Sequence, residues 1–98
     1  MILRVVKMEF REEALDSFLV VFEASKAKIR AFEGCVHLQL WQDKENPSTV
    51  FTYSHWQSEQ DLEAYRHSEL FKATWAKTKV LFKEKAQAWS LDRTYMLK

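Results

Sequence analysis

A chain of 98 residues and 11.7 kDa holds one domain, which buries only about two-thirds of its unfolded surface, so a large cofactor cavity competes with the core. Hydrophobic residues at 47%, charged residues at 30%, and single occurrences of Gly and Pro exclude disordered and collagen-like classes. Fifteen basic against fourteen acidic residues give a net charge of +1, which excludes the basic excess of proteins that live on phosphate backbones.

Ile2 to Phe10 alternate, with Ile2, Arg4, Val6, Met8 and Phe10 opposing Leu3, Val5, Lys7 and Glu9 at period two. This is a strand with apolar residues on both faces. From Glu12 the period becomes helical, and Leu15, Phe18, Leu19, Phe22, Ile29 and Phe32 form one stripe. Acids near its start and Lys26, Lys28 and Arg30 near its end suit the helix dipole, and Gly34, the only glycine, stands where a left-handed cap is needed. Cys35 to Gln42 and Thr49 to Trp56 are two further strands, separated by Asp43-Lys44-Glu45-Asn46-Pro47-Ser48, and read as an antiparallel hairpin of open register. Ser58-Glu59-Gln60-Asp61 opens a helix as a capping box does. A break near His67 and a second cap at Ser68 precede a longer helix with Phe71, Trp75, Leu81 and Phe82 on its stripe. Alternation from Ala86 to Tyr95 predicts a closing strand.

The order βαββαβ with right-handed crossovers is the ferredoxin-like α+β arrangement, a four-stranded antiparallel sheet with helices on one face. The domain spans residues 1–98. Large side chains remain on the uncovered face, and the simplest cover is the same face of a second copy, giving a homodimer through the sheet. The N-terminal run Met1–Lys7 contains basic residues and no small-residue cleavage site, and no apolar stretch reaches about 20 residues, so the expectation is a cytoplasmic protein with neither a membrane nor a nucleic-acid partner.

Glu33-Gly34-Cys35 entering an alternating strand, followed by Trp56-Gln57-Ser58-Glu59 and the segment through Tyr65-Arg66-His67-Ser68-Glu69-Leu70-Phe71-Lys72, resembles the antibiotic biosynthesis monooxygenase family. The resemblance implies a dimeric α+β barrel and one of several chemistries: cofactor-independent oxygenation of quinols or anthrones, haem degradation, or isomerisation. Two departures stand out. Tyr65 and the Leu70 segment occupy positions where quinol-type relatives carry histidines. Lys7, Tyr65 and Trp75 stand where haem-degrading relatives place asparagine, tryptophan and the iron-ligating histidine, so the resemblance implies no haem and no other cofactor.

His37, His55 and His67 are too scattered for a metal site, but His37 and His55 become cross-strand neighbours in one hairpin register. Their functional reading is a neutral imidazole taking a phenolic or enolic proton, and the alternative is a pair of polar strand residues at a dimer edge. Tyr65, as a catalytic candidate, would hold an oxygen substituent of a flat substrate. Trp75, Phe71, Tyr53 and His67 are the candidate substrate-binding residues, with packing as the alternative role of the aromatic ones. Cys35 reads as a small buried hydrophobe, unable to make an internal disulfide. Lys77, Lys79, Lys83 and Lys85, with Arg66 and Lys72, form either a solvated helix face or a field that steers anions. Together these features point to a cofactor-independent monooxygenase that combines a small quinol- or anthrone-like aromatic molecule with molecular oxygen. The alternative is an isomerase or small-molecule-binding dimer without redox activity.

Overall fold

Alternating residues Ile2–Phe10 form β1, the strand around which the rest assembles in the computed structural model, which describes residues 1–97. A single 3₁₀ turn, Glu12–Ala14, leads into α1, Leu15–Arg30. The hairpin follows as β2, Cys35–Gln42, and β3, Thr49–Trp56. Two helices, α2 (Glu59–Arg66) and α3 (Glu69–Lys79), precede β4, Phe82–Asp92. The sheet order is β2-β3-β1-β4, and each neighbouring pair is antiparallel. Two βαβ units thus interlock, each skipping one strand, which is the ferredoxin-like topology expected from the element order.

Alternation along β1 divides its side chains between two faces, and the helices dock on the even-numbered one. Met8 and Phe10 are buried beneath α1, where Phe10 stacks on Phe18 with ring centroids 4.5 Å apart. Val50 on β3 completes this cluster, with Val6, Leu15, Phe22 and Phe82 packed around it. A second cluster of Cys35, Trp56 and Leu62 joins the hairpin to α2. Trp56 is only 1% exposed, and its Nε1–H donates to Ser54 Oγ at 3.0 Å, so its one polar atom is satisfied inside the core.

The closing strand begins and ends earlier than the sequence pattern suggests. The sequence pattern puts Leu81 and Phe82 on the stripe of the last helix, but α3 stops at Lys79 and Phe82 reaches the core from the strand side. There its ring meets Phe10 at 5.3 Å and Trp75 at 5.5 Å. Apolar residues at a helix–strand junction satisfy both periods, and tertiary packing chooses between them. Register irregularities between β1 and β4 near Lys7 and Glu9 absorb the resulting shift.

Gly34 is not the cap of α1. The helix is closed at Ala31, whose N–H donates to Ala27 O at 3.0 Å, and Gly34 lies in the following turn, where Cys35 N–H donates to Phe32 O at 3.0 Å. Its φ of +87° lies in the left-handed region, and a Cβ there would run into the Asp61 side chain at the start of α2. Glycine therefore sets both the turn and the approach of α2. Gly34→Ala is expected to cost about 1 to 3 kcal/mol in urea unfolding, combining backbone strain with the collision. Unchanged stability would contradict this account of the turn.

Candidate functional site

Two aromatic surfaces form on opposite sides of the sheet. On the helix side, the residues that share Met8's parity surround a cavity of about 330 Å³ between the sheet, α1, α2 and α3. Its floor includes Val6, Thr52, Ser54 and Leu38 from the strands, and its wall includes Phe22, Ile29, Tyr65, Phe71 and Trp75 from the helices. The size is that of a small-ligand pocket, and a mostly apolar lining with a few polar groups is the usual composition of one.

The break between α2 and α3 positions the aromatic wall. Ser68 Oγ donates to Tyr65 O at 2.6 Å and accepts from Phe71 N–H at 3.1 Å, so one hydroxyl holds the end of α2 and caps the start of α3. The chain turns there, and Tyr65 and Phe71 meet edge to face with centroids 5.3 Å apart. Trp75, one helical turn beyond Phe71, stacks on it at 5.7 Å, while Tyr65 stacks on Trp56 at 4.9 Å. A row of rings therefore runs from Trp56 through Tyr65 and Phe71 to Trp75. Burial pushes the Tyr65 phenol up to about 12, with the neighbouring Cys35 adding to the effect. Tyr65 is thus a neutral hydrogen-bond donor at physiological pH and not a base.

The opposite face carries the other aromatic set. The hairpin register pairs His37 with His55, and their rings lie 4.6 Å apart. Tyr53 meets His55 edge to face at 4.8 Å and stacks on Trp41 at 4.5 Å. Burial, with His37 and Arg93 nearby, lowers the His55 pKa from 6.5, and its shielded Nε2 has no hydrogen-bond partner among the described residues. Trp41 at 42% exposed, Trp89 at 43% and Leu91 at 47% extend this surface across β2 and β4.

Of the seven residues singled out in the sequence, Tyr65, Phe71 and Trp75 come together at the cavity, whereas His37, Tyr53 and His55 gather on the far side of the sheet. The expected constellation of a histidine acting on a ring held by Tyr65 and Trp75 is therefore not formed within one chain. Side chains alternate across a strand, and the odd-numbered parity of β3 that carries Tyr53 and His55 faces away from the helices. His67 caps α2 in the open, with Nε2 3.4 Å from Glu63 Oε2, and lies outside the cavity. Cys35 is buried at 5% exposure, and burial pushes its thiol up despite its hydrogen bond to the His37 carbonyl and the proximity of Arg30. It is a packed hydrophobe and not a nucleophile.

Sequence reasoning passed over most polar members of the cavity. Arg4, Thr52, Ser54 and Thr74 line it, and with them Arg66, the one member of the basic cluster named in the sequence that reaches the site. Arg4 carried a legible signal, because it shares the parity of Val6, Met8 and Phe10 and so interrupts the core face of β1 with a charge. Among the described residues, no group of three or more His, Cys, Asp or Glu side chains is arranged to hold a metal ion.

Comparison with known proteins places this architecture. The fold is that of a solved antibiotic biosynthesis monooxygenase, with a TM-score of 0.91, 17% identity, and coverage of 97% of this chain and 100% of that one. A conserved protein from Methanosarcina mazei superposes with a TM-score of 0.90 at 20% identity, covering 96% of this chain and 94% of the other. Rv0793 from Mycobacterium tuberculosis gives 0.89 at 15% identity, covering 99% and 98%. No curated protein matches the chain in sequence. The model of the antibiotic biosynthesis monooxygenase family matches residues 1–77, and the chain belongs to that family.

The depressed His55 pKa fixes a direction for pH dependence. The unfolded chain takes up this proton near the ordinary value of 6.5, before the folded chain does, so stability is complete above that value and falls as pH drops below it. Thermal unfolding temperatures are expected to decline between neutral pH and about pH 5, and His55→Gln is expected to flatten the decline. An equal decline in the variant would remove His55 as the cause.

Proposed function

We propose that the chain is a cofactor-independent monooxygenase that binds a small flat aromatic molecule of quinol or anthrone type in the helix-side cavity. The observation that supports this best is the row of rings from Trp56 to Trp75 beside the un-ionised Tyr65 phenol. Aromatic walls bind a flat ring by stacking and edge contacts, and they exclude water from it. Tyr65 donates a hydrogen bond to the substrate oxygen, and this bond strengthens as that oxygen becomes an enolate or phenolate. The substrate anion then gives an electron to molecular oxygen, the resulting radical and superoxide join as a peroxide at the activated carbon, and loss of water cleaves the O–O bond, so one oxygen atom stays as a carbonyl and the other leaves as water. With no imidazole or carboxylate lining the cavity among the described residues, the substrate gives up its proton to solvent before the walls enclose it, and the protein's part is to favour the anion and orient it.

The chain works as a homodimer in this reading. Leu3, Val5, Tyr53, Trp41, Trp89 and Leu91 share the parity that faces away from the helices, and monomers seldom expose an apolar surface of that breadth. A second copy applied to the same face buries both histidine pairs at the interface and leaves the two cavities outside it.

The lack of a base among the described side chains of the cavity supports a second reading, in which the same site binds or isomerises a small molecule without redox chemistry. Oxygen uptake separates the two. With hydroquinone and anthrone substrates and autoxidation subtracted, protein-dependent uptake is expected to fall about tenfold to a thousandfold in Tyr65→Phe and to persist in His55→Gln. Ligand-induced thermal stabilisation without uptake would select the second reading. In sedimentation the protein is expected to run as a dimer, and Leu91→Glu is expected to shift it to monomer; a monomeric parent protein would contradict the assembly.

A further inference from the structure

Arg4 is a charge in an apolar place. It projects from the core-facing parity of β1 into the cavity lining, between Ser54 on β3 and Ser90 on β4 in the sheet register. Its Nη1 donates to Ser90 Oγ at 2.9 Å, and no carboxylate pairs with it among the described residues. Arg66, at the end of α2, lines the same cavity and repels Arg4 enough to weaken the latter's hold on its proton, an effect to which burial contributes more. Glu63, whose Oε1 lies 2.8 Å from Arg66 Nη1, attracts Arg4 as well and partly offsets that repulsion. A partly buried guanidinium without a carboxylate partner is costly to keep, and its planar fork of donors fits a carboxylate in two parallel hydrogen bonds.

We propose that Arg4, assisted by Arg66, is a specificity-determining residue that selects an aromatic substrate bearing a carboxylate. This rests on the reading of the cavity as the substrate site and names the substrate's class within it. Two guanidiniums against the single Glu63 carboxylate leave one positive charge uncompensated. One carboxylate neutralises it, whereas a doubly charged phosphate would leave the site net negative. The aromatic wall of Tyr65, Phe71 and Trp75 takes the ring while the strand-borne arginine takes the acid. The two interactions together fix the ring's orientation, which neither fixes alone.

The test compares matched probes by calorimetric titration under anaerobic conditions: a hydroxynaphthoate, the corresponding neutral hydroxynaphthamide, and naphthol. The acid is expected to bind about tenfold to a hundredfold more tightly than the amide, the effect of a charge-assisted hydrogen bond. Arg4→Gln is expected to reduce the acid to the amide's level, and Arg66→Gln, a change at the more exposed rim, to reduce it in part. Equal binding of acid and amide to the parent protein would overturn the proposal while leaving the cavity as a ring-binding site. A preference for the acid that survives both substitutions would overturn the assignment to these arginines. Failure of all three probes to bind would overturn both the proposal and the reading of the cavity on which it rests.

Discussion

Strand alternation with large side chains at both parities divides this protein into two unlike faces. A strand can give only one face to the helices, and β1 and β3 carry apolar or aromatic residues on both. The helices take the face of Met8, Phe10, Val50 and Trp56, which becomes the core. The face of Val5, Tyr53 and His55 is left without a covering layer in the single chain. Every functional question about the protein then becomes a question of which side a residue occupies. Even and odd positions of β3 have no chemistry in common beyond the backbone between them.

The helix side is both core and cavity, and the partition between them is made locally. Phe10, Phe18, Phe22 and Phe82 fill the space near one end of the sheet, where α1 crosses β1. Towards the other end, Ser68 divides the second helical segment and turns Tyr65 and Phe71 against each other in place of a continuous helix packed flat on the strands. Small or hydroxylated residues at Thr52, Ser54, Ala86 and Ala88 keep the sheet floor low beneath this wall. A cavity in a domain of this size sacrifices burial that the fold needs.

Much of this was legible in the residues. The βαββαβ order followed from the change of period at Glu12, from Asp43–Ser48, and from the two serine caps, because each is a local signal with a local cause. The break after Arg66 was readable for the same reason: Ser68 competes for backbone amides within three residues. Phe82 was not legible as a strand residue, because an apolar residue at a junction fits either period and its contact with Phe10 across the sheet decides. The relation between His55 and Tyr65 was illegible in principle, since the face taken by a two-sided strand is set by where the helices dock and not by the strand itself. Arg4 stood in plain view at a core parity, but its meaning depends on the cavity beside it.

In the function proposed above, small aromatic ligands use the helix side while the other face serves self-association. The four tryptophans report on it directly, because Trp56 and Trp75 line the cavity whereas Trp41 and Trp89 belong to the opposite face. Titration of naphthol into isotope-labelled protein at fixed concentration, followed through the indole N–H signals, is expected to move the Trp56 and Trp75 signals and leave those of Trp41 and Trp89 in place. Movement confined to Trp41 and Trp89 would put the ligand on the wrong side of the sheet and contradict the account.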